Sequence, residues 1–212
     1  MADVLKQMAS KLYDGEDEEV AGLVQQALDA GLKPGDVLAD GLIAGMDRVG
    51  RDFKNGDLFV PEVLIAAKAM HAGMAILRPL LVGDVTVTRM GKCVIGTVQG
   101  DLHDIGKNLV KMMMEGAGFE VVDLGVDVKP EKFVAAVREH QPKLVGMSAL
   151  LTTTMVNMKT TIDALQAAGL RNSVKIMIGG APVTDAYARQ IGADAYSADA
   201  GAAVDAARAL VA

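Results

Sequence analysis

Apolar residues in the first part of the chain recur every three or four positions, the period of an α-helix that buries one face. Pro61 stands just before the last of these stretches, where the first turn of a helix tolerates a missing N–H. The pattern predicts an all-α domain over residues 1–82, built as a four-helix bundle. The four helical stretches, separated by turn-forming residues, are 4–12, 20–28, 37–49 and 63–77.

Short, almost continuously apolar segments follow a connector at 83–91, and segments with a helical period lie between them. Strands that alternate with helices form a parallel sheet with both faces covered, so such strands are apolar throughout. Residues 92–212 are therefore predicted to form an α/β domain with a flavodoxin-like (Rossmann-like), doubly wound, five-stranded parallel sheet. The strand candidates are 93–98, 119–124, 144–149, 174–178 and 193–196, and the helix candidates are about 105–117, 130–140, 154–168, 184–191 and 200–211.

The composition of the 212-residue chain excludes several classes of protein. It is 51% hydrophobic, ample for a buried core, but no apolar run approaches the roughly 20 residues of a membrane span. The acidic N-terminus lacks the layout of a signal peptide, and a single cysteine fits a reducing cytoplasm. A net charge of -6 with 3% aromatic residues argues against a nucleic-acid partner. We expect a cytoplasmic protein with neither a membrane nor a nucleic acid as partner.

The loop after the first strand candidate contains His103 among aspartates and glycines, in the sequence GDLHDIGKN. Such a loop lies at the carboxyl end of a strand, where α/β sheets bind ligands. It lacks the spacing of a phosphate-binding loop, and His71 and His140 have no companion at zinc-ligand spacing. A hydrolase triad of Ser148, His103 and Asp101 would lack the strained nucleophile elbow. On these features alone, the three alternatives and a purely structural histidine held by Asp101 all stay open.

A metal ligand explains more features of this loop. An aspartate two residues before a histidine can accept the proton of one ring nitrogen and leave the other nitrogen as a ligand. One such ligand is sufficient where a macrocycle, a haem or a corrin, supplies the equatorial ligands. Gly100 and Gly106 allow the backbone to approach a bulky ring. Small residues after the third and fourth strands would leave a slot for a long substituent.

Short motifs in this half of the chain resemble those of cobalamin-binding domains, in the same order and spacing. The helical half, where DLFVPEV at 57–63 opens the last helix, resembles the cap domain of methionine synthase and of corrinoid proteins in methyl-transfer systems. The resemblance covers essentially the whole chain. The matching residues are Asp101, His103 and Gly106 for D-x-H-x-x-G, Ser148 and Leu150 for S-x-L, and Gly179 and Gly180 for GG.

The resemblance implies how the chain holds cobalamin. His103 replaces the cofactor's own dimethylbenzimidazole as the lower ligand of cobalt, in a base-off, histidine-on state. Asp101 hydrogen-bonds His103, and Ser148 belongs to the same catalytic relay and, with Thr152, contacts the displaced nucleotide tail. The implied cofactor contacts of the α/β domain are Asp101, Leu102, His103, Asp104, Ile105, Gly106, Ser148, Leu150, Thr152, Gly179, Gly180 and Ala181. The implied contacts of the helical cap with the upper face are Leu58, Phe59 and Met70.

The resemblance also implies a function. The chain looks like a corrinoid methyl carrier, which takes a methyl group from a substrate-specific methyltransferase and holds it as methylcobalamin. A second methyltransferase, using tetrahydrofolate or coenzyme M, receives the methyl group, and a reductive activase is a further expected partner. The chain has no chemistry of its own for activating a methyl donor, so we expect a non-autonomous subunit of a methyltransferase system. The alternatives are the cobalamin-binding subunit of a mutase and a cobalamin-binding sensor or storage module.

Overall fold

The computed structural model of the protein describes residues 2–81 and 90–212. Its contacts define two compact units, one comprising Met1–Arg89 and Gly116–Gly118 and one comprising Met90–Glu115 and Phe119–Ala212. The first unit is helical and the second is α/β, which confirms the predicted fold class. Residues 83–89 of the predicted connector lie outside the described residues, and Gly91 already belongs to the first strand.

The helical unit contains the predicted succession of helices. Its core includes side chains from each of them, and Met8, Leu12, Val20, Leu42 and Leu77 are fully buried. The third predicted helix consists of three consecutive segments, and the middle one is π-helical. The π-helical part was not predicted, because apolar spacing does not show that the backbone hydrogen bonds span five residues instead of four. The helices are α1 (Ala2–Tyr13), α2 (Asp17–Asp29), α3 (Pro34–Asp36), the π-helical segment (Val37–Ile43), α4 (Ala44–Asn55) and α5 (Val60–Leu77).

Helix α5 packs closely on its neighbours through a glycine. A Cβ at Gly73 would stand 2.9 Å from Leu42 and 3.3 Å from Val20, so a larger residue would push the helices apart. Glu62 caps the start of α5, where its Oε2 accepts the Phe59 N–H at 2.9 Å. Within the described residues, α5 is also the one helix long and apolar enough to span a membrane. That is weak support for a membrane protein, because core helices of water-soluble proteins meet the same criterion.

The α/β unit is built on a five-stranded sheet in the order β2-β1-β3-β4-β5, and every neighbouring pair is parallel. This is the predicted doubly wound topology. The strands are β1 (Gly91–Thr97), β2 (Phe119–Asp123), β3 (Leu144–Ser148), β4 (Lys175–Gly179) and β5 (Ala195–Ser197). The helices are α6 (Ile105–Gly116), α7 (Pro130–His140), α8 (Thr152–Ala167), α9 (Asp185–Ile191) and α10 (Ala200–Val211), with a 3-10 turn at Arg171–Ser173.

The strand order determines where this unit can bind a ligand. From β1 the chain moves to β2 on one side, and it then returns to β3 on the other side of β1. The loops after β1 and β3 therefore diverge at the carboxyl edge and leave a crevice at this switch point, where doubly wound sheets bind ligands. Both loops carry predicted site residues.

One face of the sheet is covered by α7, α8 and α9. Its core includes Phe133 of α7 and Met158 of α8, which are fully buried, together with Ile178 of β4. Gly96 lets β1 approach this layer, because a Cβ there would stand 2.9 Å from the Phe133 ring. The site at the carboxyl edge therefore rests on closely packed strands.

Cys93 in β1 is expected not to react with thiol reagents while the protein is folded. Burial raises the pKa of its thiol to about 12, outweighing an opposite contribution from the backbone of Gly146, and the thiolate is the reactive form. Iodoacetamide at mildly alkaline pH should leave the native protein unlabelled and should label it fully in denaturant. Rapid stoichiometric labelling of the native protein would show that β1 opens readily.

Candidate functional site

Backbone hydrogen bonds hold the loop after β1 in place. Val98 N–H donates to Ser148 O at 3.0 Å, which ties the start of the loop to the end of β3. Asp127, in the loop after β2, accepts the Gly100 N–H at 2.7 Å through Oδ1, and its own N–H donates to Asp101 O at 2.9 Å. The loop is thus fastened to both strands that neighbour β1, so the side chains it carries have defined positions.

The carboxylate of Asp101 is fully buried and surrounded by hydrogen-bond donors. Its Oδ1 lies 2.7 Å from Nδ1 of His103 and accepts the His103 backbone N–H at 3.1 Å. Its Oδ2 accepts the Thr154 hydroxyl at 2.6 Å and the Leu150 N–H at 2.7 Å. These donors come from three separate segments, so the carboxylate joins the loops after β1 and β3 to the first turn of α8.

The same donors keep Asp101 ionised. Burial alone would raise its pKa, but the hydrogen bonds from Thr154, Leu150 and His103 outweigh burial and hold the pKa well below its usual range. An ionised Asp101 can only accept hydrogen bonds, so the proton between the two side chains belongs on Nδ1 of His103. The lone pair of the ring is therefore on Nε2.

His103 presents that nitrogen away from Asp101. Its side chain is 52% exposed, whereas its partner Asp101 is completely buried. Thr97 donates a hydrogen bond from its hydroxyl to His103 O at 2.9 Å, which fixes the backbone beneath the ring. A neutral imidazole oriented by a carboxylate on Nδ1 is the arrangement found in metal-binding histidines.

The surroundings of His103 fit a large, mostly apolar macrocycle. Leu102 is 72% exposed and Ile105 is 79% exposed, and Leu150 and Leu151 on the neighbouring loop are also exposed. Large apolar side chains grouped around a potential metal ligand mark a surface that a partner covers. A corrin ring that takes a nitrogen ligand from the protein would need that ligand and an apolar bed around it, and the residues present fit both requirements.

The structure places Thr154, rather than Ser148, on Asp101. The resemblance implies that Ser148 belongs to the relay, but no hydrogen bond joins its hydroxyl to Asp101 or His103 among the described contacts, and Ser148 ends β3 beside Thr97. Thr154 reaches Asp101 because it lies in the first turn of α8, with its side chain turned into the protein. A contact of Ser148 or of the exposed Thr152 with a nucleotide tail stays a prediction.

The glycine pair at the end of β4 lies against the backbone of the loop after β3. Gly180 has φ +124°, and a Cβ there would stand 1.9 Å from Ala149 O. A Cβ at Gly179 would lie 3.1 Å from Ser197 O, and Ala181 is exposed beyond the pair. Only glycine at position 180 lets the loop after β4 pass this close to the loop after β3.

The remaining predicted residues have differing surroundings. Asp104 accepts a hydrogen bond from the Asn108 side chain at 2.9 Å, whereas Gly106 has open space at its Cβ position. In the helical unit, Phe59 is 67% exposed and Met70 is buried in its core, at 3%. Leu58 is half-buried. Contact of these three cap residues with a corrin stays a prediction.

A buried ion pair beside the site was not predicted from the sequence. Lys107, directly after the loop, is 2% exposed, and its Nζ contacts the two carboxylate oxygens of Asp123 at 2.7 and 2.8 Å. Burial alone would raise the pKa of the Asp123 carboxyl, but Lys107 and the Gly125 N–H outweigh burial and hold that pKa below its usual range. The pair anchors the first turn of α6 to the end of β2. Its sequence signal, a lysine beside a glycine loop, is indistinguishable from a surface lysine.

Replacing Thr154 by valine is expected to weaken both the fold and the site. The change removes one hydrogen bond to the buried Asp101 carboxylate, and bonds to charged groups contribute about 1.5–3 kcal/mol. We expect the free energy of unfolding in urea to fall by about that amount, and the affinity for a ligand on His103 to fall roughly 10-fold or more. The exposed neighbour Thr153→Val is the matched control. Equal effects of the two substitutions would contradict a role for Thr154 on Asp101.

Two family models match the chain, both described as a B12 binding domain. One covers residues 91–211 and the other covers residues 4–78. Trimethylamine corrinoid protein 1 of Methanosarcina acetivorans is 42% identical over 210 residues, which are 99% of this chain and 97% of that protein. The dimethylamine corrinoid protein of Methanosarcina barkeri is 42% identical over 210 residues, 99% of this chain and 98% of that protein.

A solved structure is similar over the same extent. A chain of the methanol:cobalamin methyltransferase complex MtaBC from Methanosarcina barkeri has a TM-score of 0.88 and 32% identity, and the match covers 99% of this chain and 80% of that chain. The similarity includes both the helical and the α/β unit, because it leaves almost no part of this chain unmatched.

Proposed function

The chain belongs to the B12-binding corrinoid proteins of methyltransferase systems, and from this premise we propose that it carries methyl groups for a methylamine methyltransferase system. The observation that carries the proposal is the pairing of His103 with the buried Asp101, which leaves Nε2 as a ligand on the exposed part of the ring. His103 would hold the cobalt of a bound corrinoid through Nε2, and Asp101 would orient the imidazole.

The residues of this chain have separate tasks in that carrier. The bound corrinoid supplies the cobalt atom that accepts and gives up the methyl group. Asp101 holds the proton on Nδ1, so that the lone pair of His103 is on Nε2. Thr154 and Leu150 N–H keep Asp101 in place and ionised.

The apolar surroundings of His103 give the site its second task. Exposed Leu102, Ile105 and Leu150 form a bed on which a corrin would cover apolar surface and exclude water from Nε2. We propose that Leu58, Phe59 and Met70 of the helical unit shield the opposite face of the corrin, where the methyl group is carried.

Methylamines are the proposed methyl donors, because the chain is 42% identical over its full length to corrinoid proteins named for trimethylamine and dimethylamine. A substrate-specific methyltransferase would load the carrier, and a second methyltransferase, using tetrahydrofolate or coenzyme M, would unload it. A reductive activase would return cobalt to its reduced state whenever it has become oxidised. All of these reactions would take place in the cytoplasm, where the single cysteine stays reduced.

Methyl loading of the reconstituted protein tests the proposal. The protein is loaded with hydroxocobalamin, reduced, and mixed in turn with methyltransferases specific for trimethylamine, dimethylamine and methanol, each with its substrate carrying a ¹³C-methyl group. We expect stoichiometric ¹³C-methylation of the bound corrinoid with an amine and its enzyme. Omission of the amine is the control.

Two other outcomes would change the proposed function. Loading by the methanol enzyme alone would keep the carrier and change the donor. Stoichiometric cobalamin binding without methylation by any of the enzymes would favour the mutase subunit or the storage module.

A further inference from the structure

Four small residues stand side by side across the carboxyl edge of the sheet. The strand register pairs Thr97 with Ser148, Ser148 with Gly179, and Gly179 with Ser197. They form a continuous row over β1, β3, β4 and β5. The resemblance implies that Ser148 contacts a nucleotide tail and that Gly179 contacts the cofactor, but it implies no role for Ser197.

The row lies on a defined face of the sheet. Neighbouring residues along a strand point to opposite faces. Val98, Met147 and Ile178 belong to the core under α7, α8 and α9, and Tyr196 packs against it. The row therefore points to the opposite face, towards α10, which contacts β4 and β5.

The hydroxyl of Ser197 is buried there without a partner. Ser197 is 9% exposed, and its Oγ has no hydrogen-bond partner among the described residues. Buried polar groups in proteins are almost always hydrogen-bonded, so an exception calls for a specific reason. The neighbouring Gly179 adds no side chain to this stretch of the row, and a Cβ there would stand 3.1 Å from Ser197 O.

The hydroxyl at the β1 end of the row already has a hydrogen-bond acceptor. Thr97 donates from Oγ1 to His103 O, which links the row to the backbone of the proposed cobalt ligand. One end of the row thus lies under His103, and the other end carries the hydroxyl without a partner. A long substituent leaving the corrin on the His103 side could follow this row.

We propose that Ser197 is a binding residue for the nucleotide tail of the corrinoid, with its Oγ hydrogen-bonded to an uncharged polar group of that tail. A serine hydroxyl both donates and accepts hydrogen bonds and carries no charge, so it matches a base nitrogen or a ribose hydroxyl. Ser197 then makes the site select complete corrinoids over those that lack the tail. This inference rests on the proposed cobalamin binding and deepens it.

Affinity for two corrinoids tests the inference. Equilibrium binding of hydroxocobalamin, which has the tail, and of aquocobinamide, which lacks it, is measured for the protein and for Ser197→Ala. Loss of one hydrogen bond is expected to weaken hydroxocobalamin binding about 5- to 10-fold and to leave aquocobinamide binding unchanged. Ser197→Thr, which keeps the hydroxyl, should recover most of the affinity. Ser173→Ala, which removes an exposed hydroxyl bonded to Leu170 O, is the matched control.

The possible results separate this inference from the function on which it rests. Unchanged hydroxocobalamin affinity in Ser197→Ala, or an equal loss for both corrinoids, would overturn the role of Ser197 and leave the carrier function intact. Failure of the unsubstituted protein to bind either corrinoid would overturn both. Because the alanine removes a buried hydroxyl that has no partner, the variant should unfold at the same urea concentration as the parent or at a higher one.

Discussion

Replacing His103 by alanine is expected to remove the protein-derived axial nitrogen from bound cobalt. With ¹⁵N-labelled protein and reduced Co(II) corrinoid, the parent should show a doublet superhyperfine splitting in its EPR spectrum, because the lower ligand is a nitrogen of the protein. The variant should lose that doublet. Its affinity for hydroxocobalamin should fall by more than the roughly 10- to 100-fold that loss of an outer partner of a metal ligand costs.

Two controls accompany His103→Ala, a second histidine substitution and the addition of free imidazole. His140, on α7, contacts only Glu139 at 3.8 Å among the described ion pairs, so His140→Ala should leave both the spectrum and the affinity unchanged. Added imidazole should restore an axial nitrogen in His103→Ala, but with the label in the protein it should give a triplet from ¹⁴N. A triplet already present in the parent would mean that the cofactor's own base stays on cobalt, and that His103 is not the ligand.

The structure explains why the fold could be predicted from the sequence. The central strands β1 and β3 are buried over most of their length, so they contain short apolar runs that are distinct from the helices between them. A helix period and a strand period cannot be satisfied by the same residues. The π-helical segment at Val37–Ile43 was missed because it continues the helical rod without a break in the apolar pattern.

The core of the site could also be predicted, because its two main residues are neighbours in the sequence. Asp101 and His103 lie two positions apart in one loop, so their contact depends on local geometry. Thr154 is 53 residues from Asp101, and three consecutive threonines begin α8. Which of them faces inward depends on the phase of the helix against the sheet, which is a property of packing.

Ser197 illustrates a further limit of sequence patterns. It occupies the last position of a short strand, and its neighbours on the row come from three other strands. Its lack of a hydrogen-bond partner is a property of the folded chain and has no sequence signal. Lys107 is the opposite case, since its burial is balanced by Asp123, which is 16 residues away.

Replacing Gly180 by alanine is expected to destabilise the α/β unit and to abolish corrinoid binding. The new Cβ would stand 1.9 Å from Ala149 O, and a backbone oxygen cannot rotate away as a side chain can. The residue also has φ +124°, a conformation that is strained for any residue with a side chain. We expect the free energy of unfolding in urea to fall by about 3–5 kcal/mol, a loss typical of severe steric conflict in a packed region.

Gly192→Ala separates the two causes of that loss. Gly192 ends α9 with φ +80°, and a Cβ there would meet nothing within 4 Å, so its substitution adds backbone strain without a steric conflict. It should cost about 1–2 kcal/mol and leave corrinoid binding unchanged. If Gly180→Ala lowered the free energy of unfolding no more than Gly192→Ala does, the loops after β3 and β4 would not approach each other as closely as described. A loss of binding by Gly180→Ala in urea-free buffer, with the fold retained, would mean that the shifted loop closes the space beside Gly179 and Ser197, which the proposed tail requires.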